Sequence, residues 1–271
     1  MTGDTEIEPW ILLTNDDGVD SPALPPLLTA LRSLGPIRAV LPAREYSWSS
    51  KTLSRFANLR LQEAAHLGDG VHTIDGSPAD CANVGIHHLS QIPPRLVVSG
   101  VNIGENAGLA LTLSSGTVGA AIEASLSNVP AVAFSVRLTP EAYHGWCERR
   151  DPAPLAPIWA SAAAIAREIT DEIIRGGLPS EARLVSVNIP QDASLATTRV
   201  LTRLSETSYG SFFRRAEDGT LTHHYNGQTR ASADPSGDVD VLEAGSVSIT
   251  GLRLQLHTTP SAADRARFER V

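Results

Sequence analysis

The sequence predicts an α/β fold in which helices cover both faces of a parallel sheet. Short, continuously apolar runs recur along the first two thirds of the chain, and helical patterns lie between several of them. Strands that are apolar on both faces and alternate with helices are typical of parallel sheets. With 271 residues, the chain is long enough for one large α/β domain. We therefore expect a single domain over residues 1–271.

The runs predicted as strands are brief and bounded by polar or turn-forming residues. They span residues 10–13, 37–41, 71–74, 96–98, 131–134 and 184–189. Because a strand inside a parallel sheet is buried on both faces, hydrophobicity should be continuous along it rather than alternating. The runs at 10–13, 96–98 and 131–134 are apolar throughout, and the other three contain one or two polar residues each.

The predicted helices have recognisable starts and ends. Leucines at helical spacing indicate a helix over residues 24–34 that ends at Gly35, with Pro25 and Pro26 tolerated only in its first turn. In "DGSPADC", Ser77 is placed to cap a helix that begins at Pro78. Further helices are predicted over residues 117–126 and 155–175.

The character of the sequence changes after about residue 195. Residues 196–244 are polar and turn-rich, which predicts hairpins that project from the core. A strand at 247–249 and a helix at 262–270 follow, so the expected core comprises residues 9–195 and 245–271. Projecting hairpins leave strand edges that a second subunit can cover. The pattern therefore predicts a homodimer or a larger homo-oligomer.

Composition and charge limit which binding partners and which cellular location are expected. The net charge is −8 and no basic run occurs, which argues against a nucleic acid polymer or an anionic membrane as partner. No apolar run reaches the roughly 18 residues of a transmembrane helix. The acidic N-terminus lacks the basic and apolar regions of a signal peptide. We expect a cytoplasmic protein.

Asp16 and Asp17 follow the first predicted strand directly and precede Gly18. In parallel α/β sheets, ligands bind beyond the carboxyl ends of the strands. Adjacent carboxylates repel unless a cation offsets their charge, and their oxygens suit Mg²⁺, Mn²⁺ or Ca²⁺. The alternative is a solvated turn. Two other kinds of site fit this segment less well. Haloacid-dehalogenase phosphatases place two aspartates at a D-x-D spacing, whereas Asp16 and Asp17 are adjacent. The G-x-G-x-x-G motif of dinucleotide-binding sites is absent.

Three further segments carry polar groups suited to a phosphate or a cation. The loop "SGVNIGENAG" contains Asn102, the segment "SSGT" opens the helix at 117, and the loop after the second strand contains Ser47. Amide oxygens can coordinate hard cations, and a helix start offers free N–H groups to an anion. Taken alone, the Asn102 loop is better explained as a flexible turn and "SSGT" as an ordinary serine cap, and the Ser47 loop is not diagnostic.

Taken together, these motifs resemble the SurE family. The matching segments are "TNDDG", "DGSPADC", "SGVN-x-G-x-N-x-G", "SSGTVGAA-x-E", "VSVNIP" at 185–190, "TRL" at 202–204 and "DVDVLEAGSVSIT" at 238–250. The resemblance covers most of the chain. It implies a metal-dependent phosphatase that acts as a 5′/3′-nucleotidase, with a Rossmann-like core and an extended C-terminal hairpin region that builds a dimer or tetramer.

The resemblance also implies the roles of individual residues. Asp16 and Asp17 are the expected catalytic residues, one of them as base or nucleophile. One divalent cation per subunit, Mg²⁺ or Mn²⁺, is expected on Asp16, Asp17, Ser47 and Asn102. The substrate phosphate is expected at Asn102, Ser115, Gly116 and Thr117.

Two positions depart from the family pattern. Ile103 stands where arginine is usual, and Trp48 stands where a small residue is usual. The expected metal ligands are thus all present, whereas residues expected to line the substrate-binding site are altered. Besides nucleoside monophosphates, the sequence leaves open a phosphorylated metabolite as substrate, or a weakly catalytic protein that binds such a ligand.

Overall fold

A mostly parallel sheet forms the centre of the protein. The structure is a computed structural model that describes residues 8–230 and 232–270. The strands are β1 (Ile11–Thr14), β2 (Ile37–Pro42), β3 (Gln62–Glu63), β4 (Val71–Ile74), β5 (Leu96–Ile103), β6 (Ala131–Arg137), β7 (Leu184–Pro190), β8 (Arg199–Thr202), β9 (Thr207–Tyr209), β10 (Phe213–Arg215), β11 (Leu221–His223), β12 (Gln228–Arg230) and β13 (Val247–Leu252). Within the described residues the central sheet has nine strands in the order β3-β4-β2-β1-β5-β6-β7-β13-β8.

The predicted α/β class is confirmed, with one qualification about strand direction. All six predicted runs form strands of the central sheet. However, β3 runs antiparallel to β4 and β13 runs antiparallel to β7, so the sheet is mixed at its edges. Parallel pairing from β4 to β7 brings the carboxyl ends of β1, β2 and β5 to one edge.

Helices cover both faces of the sheet. They are α1 (Leu24–Arg32), α2 (Pro78–His88), α3 (Leu109–Ser114), α4 (Gly116–Leu126), α5 (Pro140–Arg149), α6 (Ala156–Gly176), α7 (Asp238–Glu243) and α8 (Ala262–Phe268), with short 3₁₀ turns at Ala65–Leu67 and Ala153–Leu155. Leu13 faces the cluster formed with α1 and α6, whereas its neighbour Leu12 faces the cluster formed with α2 and α4. This alternation produces a three-layer core.

The predicted helix starts are found within one residue, and the ends predicted for α1 and α8 are each two residues too late. Pro25 and Pro26 lie in the first turn of α1, where their missing N–H groups cost no hydrogen bond. That helix ends at Arg32, two residues before the predicted end at 34. Ser77 and Asp80 form a reciprocal capping box at the start of α2.

The predicted boundaries of the projecting region, 196–244, are too wide. Strand β8 joins the central sheet beside β13, and α7 packs against β7 and β13. Arg199 of β8 forms ion pairs with Glu168 and Glu172 of α6, which fix this polar strand to the sheet edge. The part outside the core is residues 207–230, with the antiparallel pairs β9–β12 and β10–β11. We call this segment the arm.

The C-terminal segment also differs from the expectation that residues 245–271 belong to the core. Strand β13 does belong to it, but α8 buries no residue. Leu256 and Phe268 are 93% and 71% exposed. A capping box between Ser261 and Asp264 holds α8 locally, and its sequence has no apolar face that could pack on the sheet. Among the described residues, no helix combines the length and hydropathy needed to span a bilayer.

Candidate active site

The paired aspartates lie at the carboxyl end of β1, in a tightly specified turn. The side chain of Asn15 closes this turn, since its Nδ2 donates to the Gly18 carbonyl (2.9 Å) and its Oδ1 accepts from the Gly18 N–H (3.2 Å). Gly18 has φ +85°, and a Cβ there would lie 2.7 Å from the carbonyl carbon of Arg44. The turn therefore requires glycine for both conformation and space.

Asp16 is buried against the start of α4. The hydroxyl of Thr117 donates to Asp16 Oδ1. A Cβ at Gly116 would lie 2.9 Å from Asp16 Cβ and 3.0 Å from Asp16 Oδ2, so glycine lets the helix approach the carboxylate closely. Thr117 is fully buried, and its side chain is directed to Asp16 rather than to the cavity described below. Thr117 is thus positioned to orient Asp16.

Asp17 is linked to the second predicted segment. Its Oδ2 accepts a hydrogen bond from the backbone N–H of Ile103 (3.0 Å). Strand β5 continues to Ile103, so Asn102 lies in a strand and not in the glycine-rich loop that the sequence predicts. Asn102 Nδ2 donates to the Gly104 carbonyl (2.7 Å), which leaves its Oδ1 available as a ligand.

Ser47 belongs to a loop that is bound to the backbone of the aspartate turn. The N–H of the preceding residue, Tyr46, donates to the Asp16 carbonyl (2.7 Å). Ser47 Oγ donates its proton to Glu45 Oε1 (2.6 Å), and Glu45 in turn pairs with Arg150 (3.3 Å). Because the hydroxyl proton is directed to Glu45, the lone pairs of Ser47 remain free to coordinate a cation.

The electrostatics of the aspartate pair favour a bound cation. Burial raises the pKa of Asp16 to about 6. Burial and, secondarily, the charge of Asp16 raise the pKa of Asp17 well above its usual value. Among the described residues, neither carboxylate forms an ion pair with arginine, lysine or histidine. A divalent cation would offset the repulsion that ionisation of both groups creates.

The donor set fits a hard divalent cation. Within the described part of the chain, no cluster of three or more His, Cys, Asp or Glu side chains could hold a metal. A site at the aspartate turn would therefore combine two carboxylates with neutral oxygens from a hydroxyl and an amide. Such all-oxygen sets suit Mg²⁺ and Mn²⁺.

Three of the predicted ligands open into one cavity of about 910 Å³. Asp16, Ser47 and Asn102 line one part of it together with Ser115. Ser115 Oγ accepts from the Val118 N–H (3.1 Å) and so caps the start of α4. The cavity therefore brings together three of the four expected metal ligands and the N-cap of α4, whereas Asp17, Gly116 and Thr117 are outside its lining.

Two buried residues that the sequence analysis did not select hold the loop after β5. Asn188 Oδ1 accepts from the Asn106 N–H (2.8 Å). Asp238 accepts from the N–H groups of Gly108 (2.8 Å) and Ser205 (2.9 Å), which joins the loop to the segment before the arm. Both residues lie in segments that resemble the SurE family, "VSVNIP" and "DVDVLEAGSVSIT", but neither segment indicates which backbone groups they bind.

Comparison with known proteins identifies the family of this site. A sequence model described as "Survival protein SurE" matches residues 11–211.

The chain belongs to the SurE family.

The "5'-nucleotidase SurE" of Methanocella arvoryzae is 33% identical over 264 residues, which cover 96% of this chain and 97% of the relative. That of Geobacter sulfurreducens is 36% identical over 250 residues, with 91% and 88% covered. The crystal structure of the SurE protein from Aquifex aeolicus superposes with a TM-score of 0.74 at 27% identity, covering 96% and 97% of the two chains. The predicted family and fold are both confirmed.

In this SurE chain the two atypical residues lie on the cavity wall. The Ile103 side chain packs partly on the main core cluster and also lines the cavity. Trp48 follows Ser47 directly and lines the cavity beside it. Both altered positions therefore lie on the wall of the cavity that Asp16, Ser47 and Asn102 also line.

Proposed function

We propose that this protein is a nucleotidase-type phosphatase that hydrolyses phosphomonoesters, with nucleoside 5′- or 3′-monophosphates as its first substrate class. The observation that carries the proposal is the opening of Asp16 and the start of α4 into one cavity. Hydrolysis of a phosphomonoester requires stabilisation of charge on the phosphoryl oxygens and an aligned nucleophile. Relatives named 5'-nucleotidase SurE, which match over nine tenths of the chain, support the same activity.

Asp16, Asp17, Ser47 and Asn102 would hold the divalent cation, Mg²⁺ or Mn²⁺. When bound, such an ion polarises a phosphoryl oxygen and favours deprotonation of a coordinated water. The chain itself orients the ligands, because Thr117 fixes Asp16 and the Ile103 N–H fixes Asp17.

The remaining steps fall to groups at the cavity surface. Backbone N–H groups at the start of α4, at its N-cap Ser115 and its first residue Gly116, would bind the phosphate oxygens. Asp16 is the better placed of the two aspartates to act as base or nucleophile. It lines the cavity, whereas Asp17 does not, and the Thr117 hydroxyl orients it through Oδ1.

A specialised-metabolite phosphatase is the second candidate. It is favoured by Ile103 and Trp48, which present apolar surface to the cavity where the family usually has arginine and a small residue. The same two residues are also consistent with a third candidate, a weakly catalytic protein that binds a phosphorylated ligand.

A metal-reconstitution assay tests the proposal. The protein is stripped with EDTA and assayed with Mn²⁺ or Mg²⁺ on p-nitrophenyl phosphate, nucleoside 5′- and 3′-monophosphates and a panel of phosphorylated metabolites. We expect metal-dependent hydrolysis that falls about 100-fold or more in Asp17→Asn. Asp20→Asn, which alters an exposed acid of the same loop, is the matched control and should retain activity.

Different results separate the candidates. Equal rates with EDTA and with metal, or a wild-type rate in Asp17→Asn, would contradict the metal-dependent mechanism. Hydrolysis of a metabolite in preference to every nucleotide would favour the second candidate. Ligand binding without hydrolysis would favour the third.

We also propose that the protein assembles as a homodimer or homotetramer. The strands β10 and β11 of the arm are exposed along their whole length, and α8 is exposed with Leu256 and Phe268. Light scattering on the full-length chain and on a version without residues 208–236 tests this assembly. A full-length monomer at micromolar concentration would rule it out. Residence in the cytoplasm stays a prediction from the sequence.

A further inference from the structure

The indole of Trp48 is held at the cavity by aromatic residues of the arm. Its ring centroid lies 5.0 Å from that of Phe212 and 5.1 Å from that of Tyr225, both in edge-to-face geometry. Phe212 and Tyr225 stack on one another at 5.6 Å, and Tyr209 contacts Phe212 at 4.4 Å. Such pairs fix ring orientation beyond simple burial of apolar surface.

The backbone at Trp48 is in an unfavourable conformation for a large residue. Its φ is +59°, in the left-handed region that bulky side chains rarely adopt. Conformations of this kind persist when surrounding contacts stabilise them, and they concentrate at ligand-binding sites. The contacts with Phe212 and Tyr225 supply that stabilisation, so the indole is held at one place on the cavity wall.

The arm itself is fixed above the cavity. Gln228 Nε2 donates to the Ala107 carbonyl (3.0 Å), and Thr207 Oγ1 accepts from the Ala110 N–H (3.0 Å). Tyr225 lines the cavity together with Trp48. Although it contacts the rings of Phe212, His223 and Tyr225, Trp48 remains 42% exposed, so part of the indole surface is open to a ligand.

The cavity thus has two chemically distinct parts. Asp16, Ser47 and Asn102 form a polar part, and Trp48 with Tyr225 forms an aromatic part that begins one residue after Ser47. A phosphate would occupy only a small fraction of the 910 Å³. The remaining volume is available to the group esterified to that phosphate.

We propose that Trp48 is the specificity-determining residue of this site, and that it selects substrates whose leaving group carries a planar aromatic ring. The inference rests on the proposed phosphomonoesterase activity. Among the substrates of the proposed activity, nucleotides carry such a ring in their nucleobase. Stacking of the base on the indole would bind the leaving group, while the polar part binds the phosphate.

The test compares two esters that differ only in the ring. AMP and ribose 5-phosphate share the phosphate and the ribose, and only AMP carries a base. Trp48→Gly removes the indole and also relieves the positive φ, whereas Trp48→Phe keeps an aromatic ring. Phe56→Ala removes an aromatic ring that is 92% exposed and outside the cavity lining, and serves as the control.

We expect Trp48→Gly to lower the ratio of kcat/KM for AMP to kcat/KM for ribose 5-phosphate by about 5- to 150-fold, the range for loss of one base–aromatic stack. Trp48→Phe should keep most of this ratio and Phe56→Ala all of it. Inhibition by adenosine, which has no phosphate, should weaken in parallel in Trp48→Gly. A purely structural role for Trp48 would lower both kcat/KM values together and leave the ratio unchanged.

An unchanged ratio in Trp48→Gly, with both esters hydrolysed, overturns the inference while the proposed function stands. Hydrolysis of neither ester by the wild-type protein, with either metal, contradicts the proposed function instead. In that case the role of Trp48 is tested by calorimetry, which compares the affinity of adenosine for the wild-type protein with its affinity for Trp48→Gly. Equal affinities would overturn it, and weaker binding to Trp48→Gly would support it.

Discussion

Replacing Asp16 by asparagine should stabilise the metal-free protein at neutral and alkaline pH. Burial raises the pKa of Asp16 from its ordinary 3.8 to about 6 in the folded state. The difference of about 2 pKa units corresponds to about 3 kcal/mol of unfavourable free energy in the ionised folded protein. Asparagine removes the charge and still offers an oxygen to the Thr117 hydroxyl.

The dependence of this effect on pH follows from the direction of the pKa shift. Because the folded-state pKa is the higher one, Asp16 stabilises the fold below about pH 4, and this contribution is lost as the pH rises through about 6. The stability difference between Asp16→Asn and wild type should therefore be small at pH 4 and reach up to about 3 kcal/mol at pH 8.

Urea denaturation in EDTA from pH 4 to pH 8 measures this difference, with the exposed-site variant Asp20→Asn as control. Saturating Mn²⁺ should reverse the order of stability, because a cation bound to the folded state stabilises the wild-type protein more than the variant. If Asp16→Asn is no more stable than wild type at pH 8 in EDTA, the interpretation of the pair as a buried, unneutralised charge cluster is wrong.

Three further substitutions test how the site is held. Gly116→Ala places a Cβ 2.7 Å from Ser49 Oγ and 3.0 Å from Asp16 Oδ2, and should lower the free energy of unfolding by about 1–3 kcal/mol in urea titrations and weaken Mn²⁺ binding in calorimetry. Gly176→Ala, the control at the last residue of α6 where nothing lies within 4 Å, should not lower the free energy of unfolding and should leave Mn²⁺ binding unchanged. Thr117→Val keeps the volume of a fully buried side chain and removes its hydrogen bond to Asp16. The phosphatase kcat should therefore fall, and the free energy of unfolding should decrease by about 1.5–3 kcal/mol. An unchanged kcat would show that Thr117 does not orient Asp16. Asp238→Ala removes the acceptor of the Gly108 and Ser205 N–H groups. It should lower the free energy of unfolding by about 3 kcal/mol in thermal or urea titrations and speed hydrogen exchange at the Gly108 amide. Unchanged exchange at Gly108 would mean that Asp238 does not hold the loop.

The features that the sequence predicted well are those with a local signature. The apolar run before Asp16 identified β1, and the carboxyl-end rule placed the aspartate pair at the ligand-binding edge of the sheet. Ser77, Pro78 and Asp80 specify a helix start within four residues, and the structure forms the cap they predict.

The features that the sequence did not reveal depend on distant partners. Asn106 and Asn188 are 82 positions apart, and Gly108 and Asp238 are 130 apart, so no local pattern reports their hydrogen bonds. Strand β8 is polar and forms because β13 offers it an edge. Helix α5 buries only Gly145 and so lacks the apolar stripe that identifies a surface helix.

The assignment of Asp16, Asp17, Ser47 and Asn102 as ligands of one divalent cation is tested most directly by anomalous diffraction from crystals soaked in Mn²⁺. We predict an anomalous peak within about 2.5 Å of oxygen atoms of both aspartates, of Ser47 Oγ and of Asn102 Oδ1. The peak should be lost in Asp17→Asn crystals. A Mn²⁺ peak at another place in the cavity, or none at the aspartate turn under conditions where Mn²⁺ activates hydrolysis, would contradict this assignment.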